Sequence, residues 1–239
     1  MDRVKLQNRT DTKFVFEADL LPIILNEIKN YYSILEIKNK RTNSYKTLYY
    51  DTEKFGAYIN HHNGKLNRNK IRFRQYIESD LNYLEVKFKN NKGRTIKSRN
   101  KINQLETVLS TESKDFIDKH SFYKSSTLVP VLWNSFTRLT LVHKTANERL
   151  TIDLNLSFKS YLNDINESLN HIIIAEVKQE KASGSSDFIK VIRKHHIRKS
   201  GMSKYCVGTA LLNKNIKQNN FKERILKIKK LKNVRRITA

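Results

Sequence analysis

Cysteine, proline and glycine are scarce in this sequence, which contains one, two and six of them, respectively, in 239 residues. The single cysteine, Cys206, excludes an internal disulfide framework and any metal site built from several cysteines. Few prolines and glycines, together with 38% apolar and 10% aromatic residues, are typical of a globular chain rather than a disordered one. The chain is long enough to bury a sizeable core.

Long apolar runs are also missing. No run approaches the roughly 18–20 residues that a membrane-spanning helix needs, and the first residues, MDRVKLQNRTDTK, lack the apolar region of a signal peptide. We therefore expect a soluble, cytoplasmic protein without a transmembrane segment. Because neither a repeat nor a Pro/Ser-rich linker divides the chain, we expect one domain over residues 1–212, followed by a basic C-terminal helix or tail over residues 213–239.

Acidic residues are few relative to basic ones. The chain has 23 aspartates and glutamates against 47 lysines and arginines, which gives a net charge of +24. A field of this size attracts nucleic acid, anionic lipid or polyphosphate, and it does not choose among them. Composition alone favours nucleic acid, so the positions of the charges have to decide.

The stretch KIRFRQY, residues 70–76, shows where many of these charges lie. Lys70, Arg72 and Arg74 alternate with apolar or neutral residues, so in an extended strand the three cations share one face. They stand roughly 7 Å apart, close enough to repel one another. Further segments separate charged and apolar groups in the same way: Thr10–Phe16, YLEVKFK (83–89), Ser135–His143, ERLTIDLNL (148–156) and IIIAEVKQE (172–180).

The charged faces of these strands, taken together, predict a barrel. Each strand alone fits an ordinary half-solvated sheet, but like charges opposite one another across strands are destabilising. A sheet curled with its polar face inward concentrates that repulsion unless an anion fills the bore. Its apolar outer face then needs helices to cover it. The sequence therefore predicts an α+β fold, in which an antiparallel β-barrel surrounds a cation-lined tunnel and helices pack on the outside.

Periodicity and turn signals place the remaining elements. We expect further strands at Ile34–Lys38, Lys46–Tyr50, Phe55–Asn60 and Thr95–Arg99, with a hairpin turn at Asn63-Gly64. Helices are predicted at Asp19–Ile34, Lys101–His120, Tyr161–Ser168, Asp187–His196 and Asn220–Lys232. The last helix is basic and amphipathic. It packs on the tunnel wall, binds an anionic surface or helps to draw in product.

Eight short motifs occur in a specific order: RTDTKF, YYDT, KIRFRQY, YLEVKFK, FTRLTL, ERLTIDL, IAEVKQE and SKY. In this order and with comparable spacing they resemble the polyphosphate polymerase (VTC) domain of the vacuolar transporter chaperone complex, in the triphosphate tunnel metalloenzyme superfamily. The resemblance runs from about Arg9 to Gly208. Each motif is weak alone, whereas the ordered set is specific.

The resemblance implies an eight-stranded antiparallel tunnel and an activity. It implies a stand-alone, bacterial-type polyphosphate polymerase that transfers the γ-phosphate of ATP to a growing polyphosphate chain and releases ADP. The implied partners are ATP and inorganic polyphosphate, with Mn²⁺ or Mg²⁺ as cofactor and no specific nucleic acid. Two alternatives stay open: an inorganic triphosphatase or nucleotide phosphohydrolase on the same fold, and a non-catalytic polyanion-binding module.

The resemblance also assigns roles to individual residues. The cations implied to act on the transferred phosphoryl group are Lys13, Arg72, Arg74, Lys87, Arg138 and Arg149. Those implied to bind ATP or polyphosphate are Lys97, with Arg99 as the alternative for the same position, Lys178 and Lys204. Glu176 is the implied ligand of the divalent metal.

The first motif departs from the pattern of the superfamily's hydrolases. These carry E-x-E-x-K on the first strand, where this sequence has Arg9-Thr-Asp11-Thr-Lys13. The loss of one glutamate to arginine resembles the polymerase branch, and Asp11 could still contact a metal through water. Asp153 is expected either to orient an arginine or to bind metal. Glu85 is expected to balance the charge of its neighbour Lys87.

Overall fold

In the computed structural model, which describes residues 10–180 and 186–237, one antiparallel sheet contains ten strands. Arg9 of the first motif lies outside the described residues. The strands are β1 (Thr10–Glu17), β2 (Tyr32–Ile34), β3 (Thr42–Thr52), β4 (Arg68–Tyr76), β5 (Leu81–Lys89), β6 (Thr95–Ile102), β7 (Leu128–His143), β8 (Glu148–Ser160), β9 (Asn166–Leu169) and β10 (Ile172–Gln179). The helices are α1 (Leu21–Ile28), α2 (Gly56–His62), α3 (Thr111–His120), α4 (Asp187–Lys194), α5 (Lys204–Leu212) and α6 (Lys222–Ile237).

Eight of the strands form the continuous path β1-β10-β8-β7-β3-β4-β5-β6, while β2 pairs with β7 and β9 pairs with β8. The predicted α+β fold with an eight-stranded antiparallel tunnel is confirmed. The end strands β1 and β6 are not hydrogen-bonded to each other in the described part of the chain. The tunnel is therefore formed by curvature of the sheet rather than by a complete ladder of hydrogen bonds.

Most of the outer face of the sheet is apolar and is covered by helices, as expected. Side chains of α1 and α4 pack with those of β1, β7, β8 and β10 in one buried cluster, which includes Ile24, Phe188 and Ile152. Helix α3 covers β3, β4 and β5 through a second cluster, which includes Ile117 and Phe73. Because successive side chains of a strand alternate between faces, burying these residues outside directs the charged residues of the same strands inward.

Helix α5 fills one end of the bore. Seven of its nine residues are buried, and they pack against side chains that share the inner face with the charged groups, among them Val15, Leu132 and Ile174. The ring centroids of Tyr205 on α5 and Tyr49 on β3 are 5.0 Å apart. The inner face is thus charged over part of its length and apolar where α5 inserts.

Asp51 ties α5 to α2 and to the end of β3. Ala57 and Tyr58 lie in the first turn of α2. Their backbone N–H groups donate hydrogen bonds to the Asp51 carboxylate at 2.7 and 2.9 Å. It also accepts one from the hydroxyl of Tyr205. A buried carboxylate needs such donors, and the arrangement fixes the position of α5 relative to the sheet.

The predicted strand at Phe55–Asn60 is wrong, because α2 begins at Gly56, directly after Phe55. The Asp51 carboxylate accepts hydrogen bonds from backbone N–H groups at the N-terminus of this helix. These hydrogen bonds outweigh the preference of the sequence for a strand. The predicted hairpin at Asn63-Gly64 is wrong for a related reason. Gly64 has φ of +69° just beyond the end of α2, and a left-handed glycine suits a helix C-terminus as well as a hairpin.

Other helices were placed too broadly or in the wrong position. The predicted helix at Tyr161–Ser168 is wrong, because Asn166–Leu169 is a strand that pairs with β8. The helix predicted over Lys101–His120 begins only at Thr111, where Ser110 caps it. Helix α5 was not predicted, because a helix that is apolar on all sides has no amphipathic period. The basic helix near the C-terminus is present as α6, with Phe221, Ile225 and Ile228 buried in the cluster around α5.

Over the described ranges, no helix combines the length and the apolar character required to cross a membrane.

The close contact at Gly208 predicts a measurable steric effect. A Cβ at this position would lie 2.5 Å from the ring of Phe158 and 2.9 Å from a methyl group of Leu132. We expect this overpacking, which costs about 1–3 kcal/mol, to outweigh the gain of roughly 1 kcal/mol from alanine in a helix. Thermal unfolding of Gly208→Ala should show a lower melting temperature than the wild type.

Gly201→Ala is the matched control, because its Cβ would meet only Arg224 at an ordinary 3.6 Å. We expect its melting temperature to stay within about 1 °C of the wild type, since substitutions away from special contacts are nearly neutral. A Gly208→Ala protein as stable as the wild type would contradict the close packing of α5.

Candidate active site

Charged side chains from strands at opposite ends of the sheet meet on the inner face. Lys87 on β5 is close enough to Lys13 on β1 and Glu176 on β10 for both charges to act on its pKa. Because β1 and β5 lie far apart in the strand order, only a strongly curved sheet brings them together. The inner face is therefore a bore with charges on facing walls.

Arg72 is held by a buried carboxylate on the neighbouring strand. Its guanidinium donates from Nε and Nη2 to Glu85 Oε2 at 2.7 and 2.6 Å, and Lys97 pairs with the other oxygen. Burial alone would raise the pKa of Glu85, but Arg72, Arg74 and Lys97 lower it to about 2. Glu85 thus orients Arg72 and Lys97, and the expectation that it balances Lys87 is wrong.

A second carboxylate holds the cations of the opposite wall. Arg138 donates from Nε and Nη2 to the two oxygens of Asp153 at 2.5 and 2.8 Å. Lys204, the first residue of α5, also binds Asp153, and its Nζ lies 4.4 Å from the ring centre of Phe136. Burial would raise the pKa of Asp153, yet these cations hold it well below its usual range. The carboxylate stays ionised and fixes both cations.

Arg74 lies beside two stacked aromatic rings and has no carboxylate partner among the described residues. Its guanidinium carbon is 5.6 Å from the ring centres of both Tyr45 and Phe136, and its Nε donates to Thr47 Oγ1 at 3.2 Å. Burial and the nearby Arg72 lower its pKa. Among the described residues, no carboxylate lies within ion-pairing distance of Arg74.

Lys70 and Lys87 likewise have no carboxylate within ion-pairing distance among the described residues. Lys70 donates to Ser203 Oγ at 2.8 Å, at the N-terminus of α5, and pairs in register with Lys87 on the adjacent strand. Neither lysine forms an ion pair with any described carboxylate. Unbalanced cations in a partly enclosed bore are costly. An anion in the bore would remove that cost.

Four lysines of the bore have lowered pKa values. Desolvation in the bore, opposed or assisted by neighbouring charges, brings the pKa to about 8 for Lys70, Lys178 and Lys204. It does the same for Lys87, although that side chain is still open to solvent. They therefore carry most of their charge at neutral pH and lose it over the next two pH units.

Glu176 is the carboxylate implied to hold a metal. Its Oε1 lies 3.1 Å from Lys13 Nζ, and Lys178 pairs with Oε2. Burial would raise the pKa of Glu176, but Lys178 and Lys13 lower it, so the group is ionised as a ligand must be. No group of three or more metal-binding side chains exists in the described ranges. The residues fit a divalent ion only if phosphate oxygens complete its coordination.

The remaining predicted residues lie nearer the ends of the charged region. Arg149 pairs in register with Lys178, on the same face as Asp153. Arg99 is exposed on the edge strand β6, with its guanidinium carbon 5.0 Å from the ring centre of Tyr83. Lys97 is the one of the two alternatives that binds Glu85, so Arg99 is separate from that network.

Several residues of the bore were not among the predicted site residues. Lys70 follows from the alternation of KIRFRQY, which places it on the face of Arg72. Tyr45 and Phe136, whose stacked rings have centroids 4.9 Å apart, have no distinguishing sequence signal. Ser203 belongs to the motif SKY, but its role was not predicted, since its contact with Lys70 depends on where α5 enters the bore.

The VTC domain matches residues 8–213, which is most of the chain. The chain belongs to the VTC domain family. No curated protein matches the chain. The family match confirms the resemblance carried by the eight motifs, and the N-terminal and C-terminal boundaries of the VTC match lie close to those of the motifs.

Solved structures of other proteins share the fold of this VTC domain. A proposed adenylate cyclase from Bacillus halodurans has a TM-score of 0.52 and 13% identity, over 82% of this chain and 96% of the other. A proposed adenylyl cyclase from Hippeastrum, described as having a dominant triphosphatase activity, has the same TM-score and identity over 85% and 96%. At this level of identity the likeness shows the fold alone, which is the tunnel fold.

The lowered lysine pKa values of the VTC domain predict pH-dependent anion binding. The protonated lysines attract an anion, whose binding raises their pKa values, so affinity falls as the pH rises through about 8. Sulfate is a suitable probe, because its charge is constant in this range. We expect a fixed sulfate concentration to raise the melting temperature more at pH 7 than at pH 9, at matched ionic strength.

Two variants show whether the sulfate effect arises in the bore. Lys87→Met should reduce the effect at pH 7. Lys46→Met should leave it unchanged, because Lys46 is exposed and lies over Trp133 on the outer face of β3. A sulfate effect of equal size at pH 7 and pH 9 would be evidence against these titrating lysines as the anion site.

Proposed function

We propose that this VTC domain is an ATP-dependent polyphosphate polymerase, which transfers the γ-phosphate of ATP to a growing polyphosphate chain and releases ADP. One observation carries the proposal. Lys70, Arg74 and Lys87 point into a shared bore without a carboxylate partner among the described residues, beside Arg72 and Arg138, which are already fixed by Glu85 and Asp153. Such a bore suits a linear chain of phosphates better than a compact ligand.

Arginines and lysines of the bore would supply the chemistry. Phosphoryl transfer depends on in-line positioning and on stabilising charge spread over phosphate oxygens. Arg72, held by Glu85, and Arg74, which packs beside two stacked aromatic rings and donates to Thr47, offer planar donors with fixed directions. Lys87, on the strand next to that of the two arginines, and Lys13, on the facing wall, offer compact charges. Together they are placed to contact the oxygens of the transferred group.

The opposite wall would hold the rest of the phosphate chain. Arg138 is fixed by both oxygens of Asp153, Lys204 enters from α5, and Arg149 and Lys178 lie beyond them. The acceptor in this reaction is an ionised phosphate, either orthophosphate or the end of a chain. It needs no general base, and the cations of this wall would align it with the donor.

Glu176 is the residue that would hold Mn²⁺ or Mg²⁺, together with phosphate oxygens. When bound, the ion would supply positive charge that polarises the transferred phosphoryl group. Lys13 and Lys178, which pair with Glu176 in the structure, would then have phosphate oxygens as alternative partners. One carboxylate plus phosphates is a usual environment for Mg²⁺.

Two other activities would use the same bore. A triphosphatase would transfer the phosphoryl group to water, and a polyanion-binding module would hold phosphates without turnover. A purified protein incubated with ATP and Mn²⁺ separates the three. We expect ADP and long chains that are resolved on a gel. Orthophosphate without chains would overturn the polymerase in favour of a hydrolase, and an absence of ADP release would leave only binding.

Arg72→Ala and Arg74→Ala should each slow this turnover by about 100-fold, the usual scale for removing one donor that stabilises developing charge. Initial rates of ADP release provide the measurement. Arg41→Ala is the matched control, because its side chain is 70% exposed and pairs with Glu36 outside the bore. Its rate should equal that of the wild type. Rates of Arg72→Ala or Arg74→Ala within a few-fold of wild type would refute their roles.

Glu176→Gln should weaken the response to metal, because the amide removes the charge that attracts the ion while keeping the side-chain size. A titration of Mn²⁺ at saturating ATP should have its midpoint at a higher concentration by about tenfold or more. Glu36→Gln, at an exposed ion pair, should titrate as the wild type does. An unchanged midpoint for Glu176→Gln would remove Glu176 from the metal site.

A further inference from the structure

An aromatic pair lies on the inner face at the start of β5 and the end of β4. The ring centroids of Tyr76 and Tyr83 are 5.9 Å apart, with the planes nearly perpendicular at 85°. Arg99 from β6 places its guanidinium carbon 5.0 Å from the ring centre of Tyr83. The phosphate chemistry described above uses none of these three side chains.

Tyr83 lies on the inner face, at the end of the charged region away from α5. It shares its face with Glu85 and Lys87, because residues two apart on a strand point the same way. Lys87 pairs with Lys70, which binds Ser203 at the N-terminus of α5. Lys87 lies four positions along the extended strand from Tyr83, at a distance of about 13 Å. A triphosphate and a ribose together have a comparable length.

Tyr83 differs from the other aromatic residues of the bore in its exposure. Tyr45 and Phe136 are 8% and 3% exposed and are packed against Arg74 and Arg138. They belong to the wall. Tyr83 is partly exposed and Arg99 is exposed, so this pair offers surface to a ligand in the open part of the bore.

We propose that Tyr83 and Arg99 form a stacking platform for the nucleobase of the nucleoside triphosphate, whose phosphates extend along β4 and β5 towards Arg72 and Lys87. This inference rests on the proposed function, since it assigns a place to the part of ATP that the cations do not contact. A base offers two flat faces, and both tyrosine rings and arginine guanidinium groups stack on such faces. A phosphate chain has no such face.

The platform would distinguish the donor from the product. ATP and inorganic polyphosphate present the same phosphate oxygens to the cations, so the bore alone cannot tell them apart. Stacking adds affinity only for the nucleotide. Because every base has a π-face, stacking tolerates different bases, and we expect the site to select nucleotides over inorganic chains rather than one base over another.

Binding of two ligands to the full-length protein tests this assignment without turnover. The ligands are AMP-PNP, an ATP analogue that resists transfer, and inorganic tripolyphosphate, each titrated calorimetrically in the presence of Mg²⁺. We expect Tyr83→Leu to raise the Kd for AMP-PNP about tenfold, the scale of one lost base stack. Its Kd for tripolyphosphate should stay within twofold of wild type. Tyr83→Phe keeps the ring and should bind both ligands as the wild type does.

Two comparisons complete the experiment. Tyr31→Leu replaces another exposed tyrosine, in the turn between α1 and β2, and should change neither affinity. The platform would be refuted if Tyr83→Leu left the Kd for AMP-PNP unchanged, or if it weakened the binding of both ligands equally. In either case, tight binding of tripolyphosphate by the wild type would still support the proposed function of the bore. A wild type that binds neither ligand would overturn the proposed function and the platform together.

Discussion

The repulsion among cations that face one another across the bore is the constraint on which the structure depends. Lys70, Arg74 and Lys87 have no carboxylate within ion-pairing distance in the described ranges, and the surrounding protein lowers the pKa of each. The fold tolerates this cost because large apolar clusters bury the outer face of the sheet, where each buried side chain contributes about 1.5–3 kcal/mol. Apolar packing on the outer face of the sheet thus offsets the destabilising repulsion among the cations of the bore.

Not all of the positive charge in the bore is left unbalanced. Glu85 and Asp153 each bind one arginine and one lysine, so Arg72, Lys97, Arg138 and Lys204 have fixed directions before any ligand arrives. Pre-oriented donors stabilise developing charge without having to reorganise. The bore thus combines cations whose orientation is set by the protein with cations whose charge is left for the ligand to neutralise.

The strands that line the bore were predictable, whereas helices α2 and α5 were not. Alternation in KIRFRQY or IIIAEVKQE has a period that only a strand satisfies, so these segments and their inward residues could be placed from sequence. Helix α5 has no such period because it is buried on every side, and α2 depends on Asp51, which contacts it through the fold. The partner of Glu85 also escaped prediction, because Arg72 and Lys97 lie on the two neighbouring strands while Lys87 is merely near in sequence.

The position of helix α5 determines how a polymer could enter and leave the barrel. Its buried residues occupy one end of the barrel, so a polymer could not pass along the axis from end to end while the helix stays in place. Entry and exit would share the remaining opening or the seam where β1 and β6 do not pair. Under the proposed polymerase activity, a growing chain would therefore have to leave through the same opening by which the nucleotide enters.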